Sequence, residues 1–328
     1  MLRIIPAVLA TATIAELTGP AAAQSFPSRP VTMIVPFSAG GPTDTIARIV
    51  GERMSQSLGQ SVIVENVAGA GGTIAAARVA RAAPDGYTLD VATWSTHIVS
   101  PAIYRLPYDV QKDFDPVAML TQTPLLLVAK KAVPANDPKQ LVAWLKSHPD
   151  GVLLGAAGGT DQVAGFLLQQ QTGTRLQIVP YRGLALAMQD LLAGRIDFLF
   201  DQPSDALPQI RSGNIKVFAV TASSHLAVAP DIATADEAGL PGLHITPWHS
   251  LWVPKGTPQA VTAKLGAAAM AALADPIVRK RLADIGQDVV APERQTAAAL
   301  AGFYKSETEK WWPIIKAAGI KAAGIKAE

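Results

Sequence analysis

Apolar and polar positions switch between two periods along this chain. Val31, Met33, Ile34 and Val35 make a largely β-branched run that stops at Pro36, Gly40-Gly41-Pro42 follows, and from Thr43 and Asp44 the spacing becomes helical. A strand, a tight glycine turn and a helix start are predicted. The unit recurs: Ser61–Glu65 (SVIVE) reads as a second strand, ends in a glycine loop over 66–73 (NVAGAGGT) and leads into a small-residue helix over Ile74–Ala83. Tyr87–Thr93 (YTLDVAT) is a third strand that runs directly into Trp94-Ser95-Thr96-His97. Leu125–Ala129 (LLLVA) is an unbroken apolar run typical of a buried strand, and the Pro/Asp-rich stretch 133–138 starts a helix over Lys139–His148.

The alternation then restarts. Gly151–Gly155 leads into a third glycine loop over 156–162 (AAGGTDQ) and a helix over Val163–Thr172. Gln177–Pro180 is a strand ending in Tyr181-Arg182-Gly183, followed by a helix through Leu192 that closes on Gly194. Arg195–Asp201 (RIDFLFD) is a short strand with Asp201 at its end, Lys216–Thr221 is another, and Trp248–Pro254 reads as a return strand. Helices over Gln259–Leu273, Pro276–Ile285 and Glu293–Ile315 complete the chain. Such alternation predicts an α/β class, and two domains with donor-rich glycine edges predict a binding cleft between them.

The glycine turns carry the candidate chemistry. Ser38, Ala39, Gly40 and Gly41 are small enough to let backbone approach a ligand, and the free N–H groups of the following helix point into the same space. That is an anion site. A carboxylate there gains roughly 1.5–3 kcal/mol per hydrogen bond to a charged group and roughly 0.3–1 kcal/mol from the helix dipole. The alternative is an ordinary strand-to-helix turn in which Asp44 caps the helix and pairs with Arg48 at i+4. Neither a P-loop Lys-Ser/Thr nor a full GxGxxG with its downstream acid is present, so nucleotide phosphates are rejected as ligands. Ser95, Thr96 and His97 lie where open α/β sheets bind ligands, although His97 equally suits a helix cap or a hydrogen bond within the core.

Composition narrows the classes. At 328 residues, with 49% hydrophobic and 16% charged content, the chain can bury a large core in two domains. A formal net charge of +2 without Lys/Arg clusters interleaved with aromatics argues against nucleic acid. The absence of Cys excludes disulfides, thiolate metal sites and a cysteine nucleophile. Met1-Leu2-Arg3, the apolar stretch Ile4–Ala15 and Ala21-Ala22-Ala23 before Gln24 together read as a secretory signal peptide over residues 1–23, so the mature chain is expected to be exported. An exported hydrolase would need more than Ser38, His97 and an aspartate: there is no GxSxG elbow, no SxxK, SDN and KTG set, and no HExxH or comparable metal spacing. No cofactor and no metal site are expected.

PFSAGGPTDTIAR, NVAGAGGTIAA, APDGYTL, VPYRG, DLLAGRIDFLFD and the terminal WWPIIKAAGI, in this order behind a signal peptide, resemble the substrate-binding proteins of tripartite tricarboxylate transporters, the Bug proteins. The resemblance spans the mature chain. It implies a two-lobed periplasmic binding protein fold, type II-like, each lobe a mixed sheet flanked by helices, with a hinge of crossing strands. On this reading residues 24–124 and 251–328 form lobe 1 and 125–250 form lobe 2. It further implies a monomer that closes around a small organic acid and delivers it to a membrane permease of one large and one small integral subunit. A sensor that presents its ligand to a signalling receptor would use the same fold and site.

Carried over by position, the resemblance implies a ligand carboxylate held by backbone amides and ordered water at Ser38, Ala39, Gly40, Gly41 and Asp44 of the first loop and Ala70 and Gly71 of the second. Ser95 and Thr96 would border the pocket. Gly159, Thr160 and Asp161 would complete it from the opposite lobe, with Tyr181 and Asp201 nearby. One departure falls there: where the family commonly has Gly-Ser/Thr, two residues and His, this chain reads Gly159-Thr160-Asp161-Gln162-Val163. An ionised Asp161 in the pocket would favour an amine or hydroxyl at the ligand's far end, whereas Asp161 as a helix N-cap would face away from it. The tail duplicates KAAGI over 316–325, a repeat too short for a solenoid.

Overall fold

The computed structural model describes residues 26–149, 151–317 and 319. The signal-peptide reading over 1–23 and most of the KAAGI duplication lie outside these residues. In chain order the elements are β1 (Val31–Val35), α1 (Pro42–Leu58), β2 (Val62–Asn66), α2 (Thr73–Ala80), β3 (Thr88–Thr93), α3 (Ser100–Ile103), α4 (Val110–Asp113), β4 (Phe114–Gln122), β5 (Leu126–Lys130) and α5 (Pro138–Ser147). They continue as β6 (Leu153–Ala156), α6 (Gly159–Thr172), β7 (Gln177–Pro180), α7 (Leu184–Leu192), β8 (Phe198–Asp201), α8 (Pro203–Arg211), β9 (Ile215–Val220), β10 (Trp248–Pro254), α9 (Gln259–Ala274), α10 (Pro276–Asp284) and α11 (Ala297–Ala317).

Two five-stranded mixed sheets form, ordered β2-β1-β3-β10-β4 and β7-β6-β8-β5-β9. They share one topology. In each, three parallel strands in the order second-first-third are continued by two antiparallel strands. Chain passes between the sheets twice, from β4 into β5 and from β9 to β10. The C-terminal ends of the parallel strands therefore lead into the glycine loops of both lobes. That is where open α/β sheets form their crevices.

Two sequence signals shift once the chain is folded. FDPVAMLTQ carries no clean strand pattern because Pro116 interrupts it, yet it forms β4. Pro116 is tolerated because β4 lies at the sheet edge, where a missing N–H leaves no ladder bond unmade. Helix α6 starts at Gly159, four residues ahead of the expected Val163. Asp161 explains the extra turn, since its Oδ2 accepts the N–H groups of Ala157 (2.7 Å) and Gly158 (3.2 Å) just before the helix.

Apolar burial holds each sheet between helices. Ile46, Val50 and Met54 of α1 and Leu265, Ala269 and Leu273 of α9 pack with Val31, Met33 and Val35 on one face of the first sheet. A second cluster runs through both lobes, joining Ile34 and Trp248 of the first sheet to Leu127 and Phe198 of the second. Ala187, Leu191 and Leu207 cover the remaining face of the second sheet. No single helix among the described residues is long and apolar enough to cross a membrane.

After β3 the chain makes one turn of π-helix over Ser95–Val99, a geometry concentrated at functional sites. Helix α11 braces it from outside. Trp311 packs edge-on to Trp94 at 5.0 Å, Trp312 Nε1 donates to the Ile98 carbonyl at 2.9 Å, and Trp94 Nε1 donates to Glu307 Oε2 at 3.0 Å.

Candidate functional site between the lobes

A narrow cleft lies between the lobes. From lobe 1 it is lined by Phe37, Ser38, Gly41, Pro42, Thr43 and Asp44 of the first glycine loop and α1, by Thr93 and Ser95, and by Pro247, Trp248 and His249. Lobe 2 and the crossing contribute Leu125, Ala157, Gly158, Thr160, Asp161, Leu184 and Gln202. Neither Lys nor Arg is among these residues. The polar groups are hydroxyls, carboxyls, an amide, an imidazole, the Trp248 indole N–H and backbone.

Each wall has its own local cause. Helix α1 begins at Pro42 after Gly41, whose position supplies no side-chain cap, so the positive end of the helix faces the cleft uncovered. Asp44 is buried and fully engaged by its own wall. It accepts from Gly40 N at 2.9 Å, from Arg48 through both oxygens at 2.9 Å and from Asn66 Nδ2 at 3.0 Å. Burial alone would raise its pKa, but the Arg48 hydrogen bond and the Gly40 and Asn66 donors together hold it below the usual carboxylate range. Both expected roles of this loop thus coexist: Asp44 pairs with Arg48, and Ser38, Gly41 and Asp44 line the cleft. The Gly40 N–H is engaged by Asp44, and Ala39 and Gly40 lie exposed, outside the lining.

On lobe 2, Asp161 both caps α6 and lines the cleft. Burial pushes its pKa up to about 7, opposed by the two backbone N–H groups. Asp201 lies behind the wall. Its Oδ1 accepts from Gln202 N at 2.7 Å, and its Oδ2 is buried without a partner. Burial, then the nearby Asp205 and Asp161, push Asp201 well above the usual carboxylate range.

The remaining expected residues divide between positions. Ala70, Gly71 and Tyr181 line a second, more open cavity between the lobes, which shares Ala157 and Gly158 with the first. Gly159 donates its N–H to Ser95 Oγ. Thr96 is buried within the π-helical turn, bonded to Thr93 and to His97 Nδ1. His97 itself is fully buried beside Asp90, Nε2 to Oδ2 3.5 Å, and does not reach the cleft. Ser38 Oγ has no hydrogen-bond partner, so the paper triad of Ser38, His97 and an aspartate is not assembled.

Thr43, Thr93, Gln202 and His249 line the cleft without having been singled out by sequence. His249 Nε2 lies 3.2 Å from Thr43 Oγ1 and its Nδ1 3.1 Å from Thr121 Oγ1, and burial lowers its pKa to about 3, so the ring is neutral. His249 and Thr93 are cross-strand partners. The strand-end rule that selected Ser95 would have found Thr93, and Gln202 directly follows β8 in the same way.

Comparison with known proteins places this cleft in context. MatC from Rhodopseudomonas palustris, solved with bound malate, is 41% identical with a TM-score of 0.85, covering 88% of this chain and 100% of that one. The periplasmic binding protein BugD is 37% identical with a TM-score of 0.87, covering 90% and 99%. Rpa4515 from R. palustris, solved with adipate, is 31% identical with a TM-score of 0.85, covering 90% and 99%. All three share the two-lobed fold. Residues 46–320 match the tripartite tricarboxylate transporter family receptor, and the chain belongs to that family of solute-binding proteins.

Proposed function

We propose that this protein is a periplasmic receptor that closes its two lobes over a small organic carboxylate and hands it to a tripartite tricarboxylate-type membrane transporter. The observation that carries the reading is the uncapped N-terminus of α1 opening, with Ser38, Thr43 and Ser95, onto an interlobe cleft that contains no Lys or Arg. Partial charges of backbone and hydroxyl donors bind a carboxylate without a fixed counter-ion, which suits a receptor that must release its cargo. The malate and adipate held by two relatives of the same fold support the ligand class. Residues 24–124 and 251–328 act as lobe 1 and 125–250 as lobe 2, with the second boundary moved from 251 to Trp248 because all of β10 pairs within the first sheet, and the two crossings act as the hinge. The protein works as a monomer and leaves its ligand chemically unchanged.

Calorimetric titration with mono-, di- and hydroxycarboxylates, amino acids and aromatic acids tests binding. Uptake into vesicles carrying the large and small integral subunits tests delivery. Transport that depends on added receptor supports the transporter role. Tight binding without any receptor-dependent uptake points instead to ligand presentation to a signalling receptor.

A further inference from the structure

The two walls of the cleft carry opposite electrical character. On lobe 1 the acid at the start of α1 is neutralised within its own wall, because Arg48 binds both oxygens of Asp44, and the helix keeps its positive end toward the cleft. His249 on the same side is neutral. On lobe 2 the corresponding helix end is covered by a carboxylate, Asp161, 3% exposed and bonded only through backbone N–H groups. None of the charge pairs among the described residues brings a cation to Asp161, Asp201 or Asp205. Asp201 and Asp205 stand behind that wall, both buried deeply enough that their carboxyls are shifted upward.

We infer that the cleft binds its ligand in one direction, with the carboxylate toward α1 and a hydrogen-bond-donating or ammonium far end toward Asp161, which therefore selects against α,ω-dicarboxylates. The inference rests on the carboxylate-receptor reading above and names the ligand's second end. An ionised carboxylate only accepts, so Asp161 rewards a hydroxyl or an ammonium group. A second ligand carboxylate there would meet like charge in a desolvated wall unless Asp161 takes up a proton, so the discrimination grows as pH rises above the Asp161 pKa.

Proton linkage reports the same contact. With its pKa near 7, Asp161 carries a proton in part of the population at neutral pH. A ligand ammonium favours the ionised form and drives proton release on binding, whereas a second carboxylate favours the protonated form and drives uptake. Asp201 and Asp205 respond in the same sense but do not line the cleft, so substitution of Asp161 separates its share.

The test uses ligands matched in length: succinate against γ-aminobutyrate and γ-hydroxybutyrate, glutarate against δ-aminovalerate, and adipate against ε-aminocaproate. Titration in buffers of different ionisation enthalpy gives affinity and proton count together. At pH 8, about one unit above the Asp161 pKa, the wild-type protein should prefer the amino or hydroxy acid over its dicarboxylate by about tenfold, with proton release on binding the amine. Asp161→Asn keeps an oxygen for the Ala157 and Gly158 donors and should erase the preference and cut the proton signal to the share of Asp201 and Asp205. A wild-type preference for the dicarboxylate, proton uptake, or an unchanged ratio in Asp161→Asn would overturn the inference and leave the receptor reading intact. No binding by these or by the wider acid panel would instead remove the receptor reading itself.

Discussion

Gly159 donates its backbone N–H to Ser95 Oγ at 2.7 Å, so the first residue of α6 in lobe 2 is tied directly to the π-helical turn of lobe 1. Ser38 N reinforces the contact by donating to the Arg182 carbonyl at 3.3 Å. Gln287 Nε2 adds a third tie, donating to Gln202 Oε1 at 2.9 Å. These bonds join the lobes without passing through a ligand and define the closed arrangement.

Ser95→Ala removes the first tie. A net hydrogen bond contributes about 0.5–1.5 kcal/mol, so the closed state should lose roughly that amount, a factor of about two to ten in closure. Stopped-flow release of a bound carboxylate should quicken by a similar factor, while circular dichroism stays unchanged.

Glycine at 158, 159 and 183 is required by closeness across the lobes. A Cβ at Gly159 would lie 2.4 Å from Val99 Cγ1, one at Gly158 2.5 Å from Ser95 Oγ, and one at Gly183 2.1 Å from Ser38 Oγ. Gly159→Val should therefore wedge the lobes apart at Val99. Small-angle scattering should give the variant a larger radius of gyration than wild type when both are saturated with the same acid.

Asp44 organises the first glycine loop through Gly40, Arg48 and Asn66. Asp44→Ala releases the exposed Gly40 and Arg48 donors to water and leaves Asn66 Nδ2 its bond to the Phe37 carbonyl, and should cost about 0.5–1.5 kcal/mol by urea unfolding. Because the folded pKa of Asp44 is lowered, its contribution is present above the ordinary carboxylate pKa and fades as pH falls through the folded value. The gap between wild type and Asp44→Ala should accordingly narrow in acid.

Beneath the π-helical turn, burial raises Asp90 to about 8 and lowers His97 to about 3, so at neutral pH both are uncharged and their 3.5 Å approach is not an ion pair. The signs oppose each other. Asp90 keeps its proton in the folded state and loses it on unfolding, which lowers stability as pH rises from the ordinary carboxylate value towards 8. His97 gains a proton on unfolding between about 3 and 6.5, which raises stability over that range. Between 6.5 and 8 only the Asp90 effect persists for this pair. The melting temperature of Asp90→Asn should fall less steeply across that window than that of wild type.

Much of this was legible in the chain. The strand–glycine–helix rhythm marked β1–α1, β6–α6 and the return strand β10, because apolar period and glycine punctuation are local properties. β4 was illegible for the opposite reason: Pro116 suits only an edge, and edge position is a property of the assembled sheet. Within the cleft lining, glycine-loop and strand-end position pointed to Ser38, Gly41 and Ser95, and the family resemblance to Asp44, Thr160 and Asp161. Position could not distinguish Asp201, hidden one residue short of the lining, from Gln202, which reaches it. Nor could it show that Gly40 would give its N–H to Asp44. These outcomes depend on side-chain direction and on competition between nearby acceptors, which a linear pattern does not encode.

Closure over a carboxylate is tested most directly by paired calorimetric titration of wild type and Gly159→Val against the organic acid panel, with melting curves to confirm that both are folded. The expected result is a single saturable site for at least one carboxylate in wild type, and its loss or a large drop in affinity in the variant. No carboxylate binding by the wild-type protein, or equal affinity in the wedged variant, would contradict the account.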